Sequence, residues 1–148
     1  GYSAESSSCT TFTGQLNGKG HRIKNIMMNT MEQLYNNSGL FCCLSHATIE
    51  NLIIDGSCSF QGVTSGSLSV EATGGIVIRN VTSVATVDGV CRLSGFIGKM
   101  EGLQQGDNVN FEDCVFDGTI AAADAFDVGG FVGCICTALL SMLRSITA

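Results

Sequence analysis

Ile49-Glu50-Asn51-Leu52 is one of four copies of a pattern that runs an apolar residue, a charged residue, Asn or Asp, and a second apolar residue. The other copies are Ile23-Lys24-Asn25-Ile26, Ile78-Arg79-Asn80-Val81 and Phe111-Glu112-Asp113-Cys114. Their starts fall 26, 29 and 33 residues apart. A pattern that recurs at this spacing is typical of a solenoid, in which each repeat forms one turn and stacks on the next.

A second pattern alternates with the first and consists of a small residue, a glycine and a short apolar run. Its copies are Ser38-Gly39-Leu40-Phe41, Gly74-Gly75-Ile76-Val77, Ser94-Gly95-Phe96-Ile97-Gly98 and Gly129-Gly130-Phe131-Val132-Gly133. The glycine is expected to supply the positive φ of a sharp corner. The apolar run is expected to form a strand whose inward side chains stack on those of the next turn. The two alternating patterns predict a chain wound into turns.

The Asn or Asp of the first pattern is expected at a corner of each turn, where its side chain can bond to neighbouring turns. This predicts a structural corner ladder of Asn25, Asn51, Asn80 and Asp113. Asn80 is also the acceptor of the glycosylation sequon Asn80-Val81-Thr82, and one side chain cannot be both a ladder member and a glycan carrier. We therefore expect the ladder at Asn80, and Asn36 of Asn36-Asn37-Ser38 as the better N-glycosylation site.

Residues 12–26 read Phe-Thr-Gly-Gln-Leu-Asn-Gly-Lys-Gly-His-Arg-Ile-Lys-Asn-Ile. This stretch resembles the F-x-G-x-L-[ND]-G-x-G-[HY]-x-I-x-[NG]-[LI] opening of extracellular proteins built as right-handed parallel β-helices. The elements at Ser94–Gly98 and Gly129–Gly133 look like the GLUG motif of adhesin-like surface proteins in the same group. The resemblance covers residues 12–133 and implies a β-helix at the cell surface.

The repeats and the resemblance together predict an all-β, single-domain, right-handed parallel β-helix of about five or six coils. Residues 1–11 are expected to form an extended N-terminal lead-in, and residues 12–133 the β-helix repeats. Residues 134–148 leave the pattern, and this tail either caps its own solenoid or docks on another molecule. A short C-terminal helix is predicted there, because four apolar residues share one helical face. They are Leu139, Met142, Leu143 and Ile146.

The composition argues against two classes of partner. The 148 residues carry a net charge of −6 with only seven Lys and Arg, whereas binding of a phosphate backbone needs clustered cations. The mean hydropathy of +0.31 is high, but no apolar run approaches the ~18 residues that a membrane helix needs. We therefore expect neither a nucleic-acid partner nor a membrane span.

Eight cysteines and two glycosylation sequons favour a secreted or cell-surface glycoprotein with disulfides. Free cysteine also packs as a small apolar residue, and so many cysteines allow many pairings, so the connectivity stays open. The candidate disulfide cysteines are Cys9, Cys42, Cys43, Cys58, Cys91, Cys114, Cys134 and Cys136.

The residues predict no catalytic, cofactor or metal site. The carboxylates are scattered and stand mostly in turn contexts, where Asp serves as a backbone mimic. With only seven Lys and Arg, a lyase site that needs a basic residue is poorly supported. Zinc sites usually show a C-x₂-C spacing, which Cys134-x-Cys136 lacks. His21 and His46 are expected at turns and suggest no Ser-His-Asp arrangement. The chain is therefore expected not to be an enzyme.

The ends of a solenoid expose unpaired backbone groups over an apolar core and must be capped or used. We expect an extracellular structural subunit that stacks head-to-tail on copies of itself into a fibre or surface appendage. One alternative is a monomeric adhesin or carbohydrate-binding module, a fragment of a larger repeat protein, that binds glycans or environmental surfaces. Another is a carbohydrate-active β-helix enzyme. The expected self-assembly interface is Phe12, Leu16, Ile23, Ile26, Ile135, Leu139, Met142, Leu143 and Ile146.

Overall fold

The computed structural model describes residues 9–32, 36–136 and 146–147, and every regular element within these ranges is a β-strand. The strands are β1 Thr11–Phe12, β2 Gln15–Ile23, β3 Met27–Asn29, β4 Asn37–Ser38, β5 Phe41–Leu44, β6 Ala47–Ile54, β7 Ser59–Gly66, β8 Ser69–Ala72, β9 Ile76–Ser83, β10 Thr86–Ser94, β11 Ile97–Glu101, β12 Val109–Glu112, β13 Val115–Phe116, β14 Thr119–Ala121, β15 Asp127–Gly129, β16 Val132–Cys136 and β17 Ile146–Thr147.

The strands pair in parallel from one turn to the next and build three sheets. Sheet A has the order β1-β5-β8-β11-β16, and sheet B has the order β2-β6-β9-β12-β17, with β13 also on β9. Sheet C has β7 and β10 at its centre, with β3 and β4 on β7 and with β14 and β15 on β10. The chain passes through sheets A, B and C in each turn. The fold is therefore a parallel β-solenoid of four complete turns and the start of a fifth.

The number of turns that the chain can form depends on the number of residues in each turn, which differs along the solenoid. In sheet C, Ser59 pairs with Thr86, 27 residues further on, and in sheet B, Val109 pairs with Ile146, 37 residues further on. The predicted all-β solenoid is confirmed, with slightly fewer turns than the five or six expected. The predicted C-terminal helix falls mostly on residues 137–145, which lie outside the described residues, and Ile146 belongs to strand β17.

The core consists of inward side chains that stack in rows along the solenoid. One row in sheet B runs Leu16, Ile49, Ile78 and Phe111, each directly opposite the next in the strand register. Ile49 and Ile78 are fully buried. Burial of such a side chain stabilises the fold by roughly 1.5–3 kcal/mol, so each turn depends on the turns above and below it.

The register of the first turn differs from the one that the repeated pattern predicts. Leu16, and not Ile23, lies opposite Ile49, and Ile23 lies opposite Ile54. The register shifts between Asn17 and His21, so the first turn carries extra residues at this corner. Asn25 therefore lies at a different corner, where its backbone N–H donates to the Ser57 hydroxyl at 2.9 Å.

Among the glycines of the second pattern, Gly39 and Gly95 serve close packing, and none of Gly39, Gly75, Gly95 and Gly130 has the positive φ expected of a corner. A Cβ added at Gly95 would overlap the carbonyl oxygen of Gly130 and the ring of Phe116. The non-glycine residues with positive φ are instead Lys19, Asn25, His46, Asn51, Asn80 and Asp113. Four of these residues, Asn25, Asn51, Asn80 and Asp113, belong to the first pattern, whereas Gly39 and Gly95 let neighbouring segments approach.

Gly95 and Gly130 hold the same position of the pattern in successive turns, which gives a matched pair of substitutions. We expect Gly95→Ala to lower the free energy of unfolding by about 1–3 kcal/mol, because the new methyl group overlaps packed atoms. In Gly130→Ala the added methyl group has no atom within 4 Å. This substitution should change the free energy of unfolding by less than about 0.5 kcal/mol. Urea denaturation of both variants tests this, and equal destabilisation would contradict the packing role.

Candidate functional site

Amide side chains from three successive turns bond to one another at one corner of sheet B. The Nδ2 of Asn80 donates to Oδ1 of Asn51 at 2.8 Å, and the Nδ2 of Asn51 donates to Oδ1 of Asn17 at 3.1 Å. Asn51 and Asn80 have φ values of 55° and 50°, a region that Asn adopts more readily than most side chains. The ladder therefore supports the left-handed corners of the second and third turns.

The members of this ladder differ in part from the residues expected from the repeats. Asp113 follows Asn80 in the same column one turn further on and has a φ of 51°. Asn17 takes the place expected for Asn25, and Asn17 also accepts a hydrogen bond from the backbone N–H of Lys19. The sequence signal that could have identified Asn17 is Asn17-Gly18, a pair typical of tight turns.

A row of polar and charged side chains runs along the outer face of sheet B beside the ladder. Asn17 donates to Glu50 at 2.8 Å, and Arg79 lies between Glu50 and Glu112, at 3.5 Å and 2.7 Å from their carboxylate oxygens. The Arg79 hydrogen bond lowers the pKa of the Glu112 carboxyl. The strand register places these four residues in line, and the charges of Glu50, Arg79 and Glu112 alternate in sign from turn to turn.

A further ion pair joins the first two turns on the same face. Arg22 Nη1 lies 2.9 Å from Asp55 Oδ2, and the Ser57 backbone N–H donates to the other carboxylate oxygen of Asp55 at 3.0 Å. These two bonds, the Arg22 bond above all, lower the pKa of Asp55 to about 2 from its ordinary 3.8. The carboxyl therefore stays ionised well into the acid range.

The first turn ends in open strand edges. Among the described residues, β1, β2, β3 and β4 pair only with strands of the second turn. Their outer edges therefore present backbone N–H and C=O groups that have no strand partner. Partly buried apolar side chains lie behind this edge and pack on the core. They are Phe12, Leu16, Ile23, Ile26 and Met28, the first four of which belong to the expected interface.

The last turns of the described chain also end in open edges. The strands β14, β15, β16 and β17 each pair only with a strand of the preceding turn in the part that the structure describes. Phe131 and Ile135 pack here against the core, and the ring of Phe131 lies 5.3 Å from those of Phe96 and Phe111. Phe126 is 86% exposed. Apolar side chains therefore lie at both ends of the described solenoid. Ile135, a member of the expected interface, lies at the end formed by the last turns.

The remaining members of the expected interface belong to the C-terminal tail. Leu139, Met142 and Leu143 lie outside the described residues. Ile146 is not on a helix, because its backbone pairs with Val109 of β12. The structure thus brings the interface residues together in two groups, one at each end of the solenoid, as far as it describes them.

A disulfide joins Cys9 to Cys42, 33 residues further along the chain, and so links the first turn to the second. Cys43 and Cys58 are free and buried, and their thiols act as small core side chains. The other free cysteines are Cys91, Cys114, Cys134 and Cys136. Of these, Cys134 and Cys136 have their sulfurs 3.0 Å apart.

A cavity of about 270 Å³ lies beside the disulfide. Its charged groups are Glu71 and Lys99. The Nζ of Lys99 lies 3.1 Å from Oε2 of Glu71 and 2.9 Å from Oε1 of Glu101. Burial raises the pKa of Glu71 even though Lys99 opposes this effect. The cavity is smaller than most ligand sites, which occupy ~300–1,000 Å³. It is lined by Cys9, Met28, Asn37, Gly39, Cys42, Val70, Glu71 and Lys99.

The structure also places the side chains of a serine, a histidine and an aspartate next to one another at one corner between sheets A and B. Ser45 Oγ lies 3.0 Å from His46 Nδ1, and His46 Nε2 lies 3.6 Å from Asp107 Oδ1. The sequence suggested no such arrangement, because Asp107 is remote from both along the chain. The His46 side chain is 72% exposed, and the cavity described above includes none of the three.

Two expected modification sites have different surroundings. Asn80 is exposed, yet its Nδ2 already donates to Asn51. Attachment of a glycan would replace one hydrogen of that nitrogen. Asn36 is half-buried, and its backbone carbonyl accepts a hydrogen bond from Val63.

No group of three or more His, Cys, Asp or Glu side chains is placed to hold a metal ion within the described ranges. The same part of the chain contains no helix long and apolar enough to cross a membrane.

Comparison with known proteins identifies a distant similarity. The chain matches no protein-family profile, and no solved structure matches it. It is similar to halomucin of Haloquadratum walsbyi, with 38% identity over 90 residues. The matched region covers 60% of this chain but only 1% of the length of halomucin.

Asn51 tests the ladder, because its side chain both tolerates the left-handed corner and bonds to two neighbours. We expect Asn51→Ala to lower the free energy of unfolding by about 2–3 kcal/mol, through two lost hydrogen bonds and an unfavourable φ. Asn51→Gly keeps the permitted φ and should cost about 1 kcal/mol less than Ala. Thermal and urea unfolding provide the measurement, and an Ala variant as stable as the wild type would contradict the ladder.

The Arg22–Asp55 pair predicts a specific dependence on pH. Because the pKa of Asp55 is lower in the folded state, the pair stabilises the fold fully above pH 3.8, and this contribution is lost as the pH falls through about 2. Arg22→Gln should raise the titration midpoint of Asp55 towards 3.8 in an NMR titration. Lys24→Gln removes an equal charge two residues away and should leave the midpoint unchanged. An unaltered midpoint in Arg22→Gln would refute the pairing.

Proposed function

We propose that this chain is an extracellular structural protein whose solenoid stacks head-to-tail on further copies of itself to form a fibre or surface appendage. The observation that carries the proposal is the pair of open strand edges. Among the described residues, the first-turn and last-turn strands pair on one side only. In this proposal the chain is not an enzyme, and the two ends are its functional surfaces.

The geometry of the edges supports such stacking. All pairs in the solenoid are parallel, so the last turn of one copy presents the same strand direction as the first turn of the next. Backbone pairing across the junction would continue the spacing of roughly 4.8 Å between strands. The two surfaces differ from each other, so the contact is heterologous and leads to an open chain of subunits.

Two observations support an extracellular location. The disulfide between Cys9 and Cys42 is of a kind that persists in oxidising compartments and is rare in the cytosol. The similarity to halomucin, whose name denotes a mucin, is consistent with a secreted or cell-surface protein.

The halomucin match also favours a second candidate function. Because the matched region is 1% of halomucin, this solenoid is also consistent with one module of a much longer surface protein, acting as an adhesin or carbohydrate-binding unit. In that case the open edges would pair with adjoining turns of the same chain, and the isolated 148 residues would be monomeric.

Electron microscopy and size-exclusion chromatography of the non-reduced protein at two concentrations test the proposal. We expect fibres of uniform width that grow with concentration. Met27→Lys adds a charge at an 83% exposed position of the first-turn strand β3 and should reduce fibre formation, since charged edge residues oppose pairing.

Val90→Lys is the matched control, because Val90 is 42% exposed on β10, in the middle of the solenoid. It should leave the fibres intact. A monomer at both concentrations would overturn the fibre proposal and favour the module, for which glycan-array binding is the next measurement.

A further inference from the structure

Strand β16 carries two cysteines on one face. Cys134 and Cys136 are separated by one residue, and alternate residues of a strand point to the same side. Two positions along a strand span ~6.6 Å, which lies within the Cα–Cα range of roughly 4.4–6.8 Å usual for disulfides. Their sulfurs are 3.0 Å apart, so the side chains already point at each other. A bond between them needs little movement of the backbone.

The two thiols differ in access. Cys136 is exposed, whereas Cys134 is half-buried. The hydrogen bond between them raises the pKa of Cys134 to about 11, so Cys134 keeps its proton near neutral pH. A reagent in solution therefore meets Cys136 first, with the Cys134 thiol beside it.

No such arrangement is present at the other free cysteines. Cys43 and Cys58 are buried in the solenoid. Cys114 is half-buried, and its thiol donates to the carbonyl oxygen of Ile78 at 3.3 Å. Cys91 is half-buried on β10. Among the free cysteines, only Cys134 and Cys136 have their sulfurs in contact.

We propose that Cys134 and Cys136 form a dithiol that low-molecular-weight disulfides oxidise to an intrachain disulfide. The Cys136 thiolate attacks one sulfur of the small disulfide, forms a mixed disulfide and releases one small thiol, which takes up the proton that Cys136 lost. Cys134 then gives up its proton and attacks the Cys136 sulfur, which forms the Cys134–Cys136 bond and releases the second small thiol. Two protein thiols are oxidised, and one small disulfide is reduced to two thiols.

The bond closes a loop of only three residues, so it restricts the unfolded chain very little. It differs in this respect from Cys9–Cys42, which joins two turns. Because the Cys136 side chain is exposed, the bond is accessible to reduction by thiols in solution. The expected readout is therefore chemical and not a change in thermal stability.

Mass spectrometry tests the proposal on the full chain. The protein is equilibrated with mixtures of oxidised and reduced glutathione, and the remaining thiols are alkylated. Cleavage before Asp residues then yields one peptide, residues 127–148, that contains both cysteines and no other. In the wild type we expect this peptide to be lighter than the reduced peptide by two hydrogen atoms and to carry no alkyl group under oxidising mixtures.

Substitutions distinguish this bond from other oxidation products. Cys134→Ser and Cys136→Ser should each leave the remaining cysteine alkylated or joined to glutathione, whereas Cys91→Ser should retain the internal bond. Alkylation of both cysteines in the wild type at the most oxidising mixture would overturn the proposal. A link from Cys91 to either one, or a disulfide-linked dimer on a non-reducing gel, would also overturn it.

Discussion

Each inner strand of this protein pairs in parallel with the strand one turn before and the strand one turn after it, and these backbone bonds fix which side chains stack. Ile49 lies over Ile78 because the register of β6 on β9 places it there. A turn alone cannot bury its inward face, so each turn is stable only between neighbours. The same constraint leaves the two ends open, and the proposed function follows from those ends.

The outer surface follows the same register. Asn51 and Asn80 bond to each other because they occupy equivalent corners, and Arg79 lies between two carboxylates because its neighbours in line are Glu50 and Glu112. Exposed ion pairs of this kind individually contribute little to stability, because water and salt screen them. Their effect is to oppose slippage of the register, since a shift of one residue would turn inward side chains outward.

The sequence predicted the inner turns well because their repeats have nearly equal lengths. Ile49, Ile78 and Phe111 begin three copies of one pattern, and the structure stacks all three. The first turn was predicted with the wrong register. Extra residues between Asn17 and His21 shift the strand pairing, and the repeated pattern gives no sign of them.

One feature of the candidate site and one of the fold could not be read from the sequence. The contact between His46 and Asp107 depends on how close the stacked turns bring the two loops that carry these residues. A repeat pattern does not specify the positions of loops. The packing role of Gly95 depends on the ring of Phe116 from a neighbouring segment. A glycine needed for space and a glycine needed for positive φ look alike in sequence.

Hydrogen exchange at different protein concentrations tests most directly whether the open edges pair with other molecules. We expect the amides of the first-turn strand Gln15–Ile23 to exchange faster than those of the inner strand Ile76–Ser83 in dilute solution, and to become protected as the concentration rises. Equal protection of both strands at every concentration would contradict this expectation, because the first-turn edge would then not be an open surface that stacking covers.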